Sequence, residues 1–332
     1  MTHPAFAPDT APLEVLPRDL SAYRQGNTGI DYVHRFESGK PGPHVLVNAL
    51  THGNEICGMV AATHLLDTGV RPKIGTLTVS FANMEAHNAF DIDNPYENRQ
   101  LVHNLNRIWS PEWLDGSEQS PELRRARELR PVLDAADYVL DIHSTRAPVQ
   151  PFWVYPEMDR NTALAAAVGA PAVQLVMPAG RFPGTGVLNY GRHGDPASNS
   201  GGALVVECGQ HFAQSAATLA TDVTLRFLAH LGLIDAPGQQ RAGGARAAVP
   251  AARGAHGQVR GLHLHAAAAG LRGLQPGRAH RHQRRRGNPL ALRQLHHLHA
   301  DPHAHRRPGS GVPDRADVNV GAPSLGPGRR RR

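Results

Sequence analysis

The sequence predicts an α/β protein, a β-sheet covered by helices on both faces, followed by a tail of different character. Three observations predict it. Short apolar runs of strand type alternate with longer stretches of helical spacing between residues 44 and 231. His52, His143 and Glu207 each fall just past the end of one such run, and in open α/β sheets ligands bind at that edge. The composition then changes abruptly near Gln239-Gln240-Arg241. These features divide the chain into an N-terminal extension (1–25), a body (26–237) and a low-complexity basic tail (238–332).

Element by element, a Pro-rich entry leads to His44–Leu50, an apolar run of buried-strand type. Asn54 to about Gly69 shows helical spacing through Ile56, Val60, His64 and Leu65 and closes on glycine. Ile74–Ala82 alternates with β-branched residues and reads as a strand. Asn83–Ser110 is polar and irregular, long enough for a functional loop. Ser120-Pro-Glu-Leu supplies an N-cap, a proline at the first helical position and an acid in the first turn, opening a helix to about Leu133. Asp137–Ile142 reads as a strand ending at His143, and Phe152–Tyr155 as another. Asp159–Val168 is an Ala-rich helix, and Ala172–Val176 a short strand. Met177–Gly202 is loop-like, Ala203–Val206 is a buried strand ending at Glu207, and Phe212 to about Leu231 is an amphipathic helix.

The net charge of +7 over 332 residues misleads as an average. From Arg241 onward there are 18 Arg, no Lys, three Asp and no Glu, so the preceding residues form an acidic body. Two cysteines, Cys57 and Cys208, are too few for a disulfide framework and fit a reducing compartment. The first residues lack a basic segment followed by an apolar one, and no apolar run is long enough to span a bilayer. The expectation is a soluble, cytoplasmic body with no membrane partner, its oligomeric state open and a homo-oligomer included.

His52-Gly-Asn-Glu55 places an imidazole and a carboxylate three residues apart at a strand-to-helix turn, where both can reach one ion. His143 is the best-placed third ligand. Two His and one carboxylate with an open fourth position describe a catalytic zinc site, since a closed structural site favours cysteine. Asp141, two residues before His143 on a strand, points to the same side and is placed to hold that ligand's second nitrogen. Alone, the His-x-x-Glu pair would read as a surface pair. Glu207 ends a buried strand, where a carboxylate is costly unless paired or functional, and suits a base that takes a proton from metal-activated water and returns it to the leaving amine. Arg99, Asn106 and Arg107 lie in the long loop and offer a cation for developing negative charge and a fork for a carboxylate. Cys57 and Cys208 read as packed thiols, and His87 and His103 as solvated loop residues. Gly180–Gly186 lacks the Lys-Ser/Thr ending of a phosphate loop and reads instead as a flap.

His52-Gly-Asn-Glu55, Arg99 with Asn106-Arg107, Asp141-Ile-His143-Ser144 and Glu207 together resemble the succinylglutamate desuccinylase/aspartoacylase family, related to the zinc carboxypeptidases, over roughly residues 25–235. The resemblance implies an M14-type fold, a mixed β-sheet flanked by helices on both faces, and one zinc ion. It implies a small-molecule N-acyl amino acid as substrate, from which the acyl group is removed. By position, His52, Glu55 and His143 would bind zinc and Glu207 would be the general base. Arg99 would polarise the scissile carbonyl, and Asn106 with Arg107 would hold the substrate carboxylate. A metallocarboxypeptidase would use the same ligands.

Family members usually continue into a small β-rich domain, and residues 241–332 do not resemble one. They contain no Phe, Tyr, Trp, Ile, Met, Lys, Glu, Thr or Cys, against ten His and 18 Arg. Such a segment cannot bury enough apolar surface to order itself, so disorder is expected. The favoured explanation is out-of-frame translation of a GC-rich gene. The alternatives are a basic tail that binds nucleic acid without sequence specificity, and a metal-handling tract around His296-His297-Leu298-His299 and His303-Ala304-His305.

Overall fold

The computed structural model describes residues 11–178, 183–198 and 201–236. The expectations for the tail, for residues 1–10 and for residues 180–182 of the glycine-rich stretch lie outside the described residues.

In chain order the elements are β1 (Val33–Glu37), β2 (His44–Ala49), α1 (Ile56–Asp67), β3 (Thr76–Phe81), α2 (Met84–Asn88), α3 (Pro111–Leu114), α4 (Pro121–Ala135), β4 (Tyr138–Thr145), β5 (Phe152–Pro156), α5 (Asp159–Val168), β6 (Val173–Met177), α6 (Gly191–Gly194), β7 (Ala203–Gln210) and α7 (Gln214–His230). The strands form one seven-stranded sheet in the order β1-β3-β2-β4-β7-β5-β6. β1 runs antiparallel to β3 and β5 antiparallel to β7, and the other pairs are parallel, so the sheet is mixed as expected.

Strand side chains alternate between faces, and this sorts the helices. Leu46 and Asn48 of β2 meet Leu129, Val132 and Leu133 of α4 on one face. Gly58 of α1 approaches Ala49 on the other, where α1 packs against α7. Val45, Val47, Ala49, Leu204 and Val206 are buried on this second face with Phe227 of α7, and Leu46, Leu129 and Leu133 are buried on the first. No helix among the described residues is long and apolar enough to cross a membrane.

Three differences from the sequence expectation have physical causes. β1 has no counterpart in the sequence expectation, because it carries His34, Arg35 and Glu37 on a sheet edge and shows no apolar run. α2 is a five-residue helix inside the stretch expected to be irregular, started by the Asn83 side chain accepting the Ala86 N–H at 3.3 Å. β4 and β7 run past their apolar cores, so His143 and Glu207 lie inside strands rather than beyond them. The ladder persists there because Glu207 is paired with His143 on one side and with Phe152 on the other. His52 does lie beyond β2, which turns at Leu50 with φ 59°.

Candidate functional site

The turn after β2 brings His52 and Glu55 in under His143, with all three side chains buried. Gly53 is required there because a Cβ would stand 2.5 Å from the Ala86 carbonyl carbon of α2. One nitrogen or oxygen from each of His52, Glu55 and His143 lies within 4.8 Å of the others. His52 Nδ1 is 2.9 Å from Glu55 Oε1, and His143 Nδ1 is 2.9 Å from Glu55 Oε2.

The outer nitrogens decide what this cluster can hold. His143 Nε2 donates to Asp141 Oδ2 at 2.8 Å. Asp141 Oδ1 in turn accepts from Asn48 Nδ2 at 2.8 Å and Thr51 Oγ1 at 2.7 Å. With Nε2–H committed to Asp141, Nδ1 of His143 turns its lone pair toward a carboxylate oxygen, a contact that needs a positive species between them. Without a metal that species is a proton. Burial alone would lower His143, but the charges of Asp141 and Glu55 outweigh it and hold the imidazolium well above its ordinary value. A divalent cation fits the same place, and a donor set of two imidazoles and a carboxylate suits zinc.

His52 Nε2 lies 3.0 Å from Asn104 Oδ1 and 2.9 Å from Arg99 Nη2, an acceptor and a donor that one tautomer cannot serve together. The Asn104 oxygen is fixed as such because it also accepts the Asn106 N–H at 2.9 Å. Burial pushes His52 down to about 4, with the Arg99 charge adding to it, so the ring is neutral. Burial by itself would raise Glu55, but His52, His143 and Arg99 hold it well below the ordinary carboxylate range.

Arg99 reaches the cluster, and its Nη1 donates to Glu55 Oε1 at 2.6 Å. Asn106 and Arg107 follow on the loop, and Asn106 Oδ1 accepts the Val187 N–H at 2.9 Å. Glu207 is buried next to His143, and burial pushes its carboxyl up to about 8, opposed by the His143 charge. His52, Arg99, Asn106, Arg107, His143 and Glu207 line one cavity of about 540 Å³. Glu55 and Asp141 support it from behind.

The sequence reading missed Asn104, Asn48 and Thr51 as partners of the histidines and of Asp141. Glu122 does stand in the first turn of α4 as expected, but it has a further role that the sequence did not show. Glu122 is fully buried and accepts the Leu101, Val102 and His103 N–H groups at 2.7, 3.3 and 3.1 Å, anchoring the loop that carries Asn104 to Arg107. A carboxylate two residues into a helix opposite a long polar loop was the available signal. His87 is not solvated as expected but buried, its Nδ1 3.0 Å from the Gly53 carbonyl oxygen, because α2 folds it under the turn. His103 is four-fifths covered, its ring tilted against Trp113 and 3.3 Å from Glu118. Cys57 and Cys208 are buried free thiols. Gly184, Thr185 and Gly186 of the glycine-rich stretch border the cavity.

Residues 41–193 match the family described as "Succinylglutamate desuccinylase/Aspartoacylase catalytic domain". A curated relative, the N-acyl-aromatic-L-amino acid amidohydrolase (carboxylate-forming) of Rattus norvegicus, is 34% identical over 123 residues, covering 33% of this chain and 36% of the relative. Among solved structures, succinylglutamatedesuccinylase/aspartoacylase from Rhodobacter sphaeroides is 21% identical with a TM-score of 0.44, covering 59% of this chain and 57% of that one. Murine aminoacylase 3 is 23% identical with a TM-score of 0.42, covering 57% of this chain and 66% of that one. The chain thus spans little more than a third of the rat relative's length.

Proposed function

We propose that this chain, of which residues 41–193 match the succinylglutamate desuccinylase/aspartoacylase catalytic domain, is a zinc-dependent amidohydrolase that removes the acyl group from an N-acylated amino acid. The observation that carries this is the inward convergence of His52, Glu55 and His143 on a cavity lined by Glu207 and two arginines. The rat relative's name, N-acyl-aromatic-L-amino acid amidohydrolase (carboxylate-forming), supports the broad class of N-acyl amino acid substrates.

His52, Glu55 and His143 would hold the zinc, with Asn104 and Asp141 fixing the two rings. Zinc bound there would supply Lewis acidity, the chemistry that polarises a carbonyl and activates water near neutral pH. Glu207, buried beside His143 and lining the same cavity, takes the proton from the attacking water and passes it to the leaving amine. Arg99 stands at the mouth of the ligand cluster, where a guanidinium can stabilise the oxygen on which negative charge grows. Asn106 and Arg107 hold the substrate carboxylate, and Glu122 keeps their loop in register.

The test is turnover by the full-length chain, reconstituted with zinc or stripped by a chelator, of N-acetyl and N-succinyl amino acids and of blocked dipeptides. Zinc-dependent release of a free amino acid from the N-acyl substrates is expected. Turnover confined to the dipeptides would make it a carboxypeptidase instead. Residues 26–237 would constitute the catalytic unit, and the compartment proposed for it is the cytoplasm.

A further inference from the structure

The face of the sheet that presents His143 and Glu207 continues sideways into a wall without basic groups. Residues paired across neighbouring strands share a face. Asp141 is paired with Val205, Val205 with Val154, and Val154 with Leu175, while one step on Pro156 is paired with Met177. The row that begins at the metal ligands' support therefore runs through Val205, Val154 and Leu175 to Met177, all of which line the cavity together with Leu188. Val154, Leu175 and Met177 are only half-buried, so this apolar surface faces open space.

Resting on the amidohydrolase reading above, we propose that the β5–β6 wall is a specificity subsite for an uncharged, apolar substituent of the substrate. A substrate with a second carboxylate directed at this wall is disfavoured. The cavity is large enough for such a group beside the scissile amide. A carboxylate placed against Val154, Leu175 and Met177 would be desolvated, and none of these three side chains offers a donor to pair it. The charge that β5 and its following turn bring to the cavity is Glu157, of the wrong sign. Neither arginine of the lining stands on β5 or β6, and Arg99 is already engaged by Glu55 and His52. Together with Asn106, Arg107 provides one fork, enough for the single α-carboxylate common to these substrates.

The apolar group could sit on the amino acid or on the acyl side, and two substrate pairs distinguish them. N-acetyl-leucine against N-acetyl-aspartate varies the side chain, and N-acetyl-leucine against N-succinyl-leucine varies the acyl group. With the zinc-loaded full-length chain, kcat/KM should favour the uncharged member of at least one pair by about tenfold or more. Leu175→Lys, on an edge strand, should narrow or invert that ratio, and if it fails to fold, the near-isosteric Val154→Thr should narrow it. Equal or better use of the acidic member in both pairs, or an unchanged ratio in a folded variant, overturns the subsite. Should no N-acyl amino acid be hydrolysed, the amidohydrolase reading falls, and binding decides the subsite separately. The melting temperature of Glu207→Gln should then rise more with N-acetyl-leucine than with N-acetyl-aspartate, and the reverse order refutes the wall's role.

Discussion

Asp141 Oδ2 accepts the His143 Nε2–H at 2.8 Å, and this contact decides which nitrogen of the ring faces the cavity. The carboxylate cannot rotate away, because Asn48 and Thr51 both donate to its other oxygen and Ser80 donates to Asn48 Oδ1. All of these groups are buried, so the arrangement is screened little by solvent.

Asp141→Asn should therefore weaken zinc binding by roughly 10–100-fold, the usual cost of losing an outer partner of a ligand histidine. Competition against a chromophoric chelator measures it. Thr51→Val should have a smaller effect in the same direction. An unchanged zinc affinity in Asp141→Asn would show that the ring is held by packing alone.

Removing the charge of Glu122 should loosen the loop that presents Asn106 and Arg107. Glu122→Gln leaves one acceptor where three backbone N–H groups now find two, and is expected to cost about 1–3 kcal/mol of stability. KM for an N-acyl amino acid should rise more than kcat falls, because the loop's proposed role is to hold the substrate carboxylate. A variant that loses stability with KM unchanged would separate the anchor from the substrate site.

Stability should fall on acidification in a window set by buried neutral histidines. His211 donates to or accepts from Ser144 Oγ at 2.8 Å, and burial pushes it down to about 3. Above the unfolded-state value near 6.5 the ring is neutral in both states and pH has no effect through it. Below that, the unfolded chain takes a proton that the folded one refuses, so stability is lost from about pH 6.5 down to about 3. The slope is roughly 1.4 kcal/mol per pH unit for this group. Urea unfolding of the metal-free protein at pH 7, 6 and 5 should show a shallower loss for His211→Gln than for the unsubstituted chain. Parallel slopes would mean that His211 does not contribute.

The apolar strands and the site residues that interrupt them were legible because each is a local pattern. Asp159–Val168 is a helix with the bounds expected, and His44–Ala49 a strand. The register was not legible. Asn48 stands beside Asp141 only because β2 pairs with β4, joining residues 93 positions apart. Likewise Asn104 becomes the partner of His52 through the course of a long loop, and nothing in its own neighbourhood marks it. The apolar wall beside Glu207 depends on β5 reversing direction against β7, which periodicity cannot report. Edge strand β1 went unread because its charged residues suit an exposed edge and dilute the strand pattern.

The most direct test separates holding the metal from moving the proton. Zinc content and turnover would be measured together for the full-length chain, His143→Ala and Glu207→Gln. One zinc per chain is expected in the unsubstituted protein and in Glu207→Gln, with turnover in the latter reduced by about 10²–10⁴-fold, while His143→Ala should lose both. Loss of zinc from Glu207→Gln, or full turnover by either variant, would contradict the assignment of ligand and base.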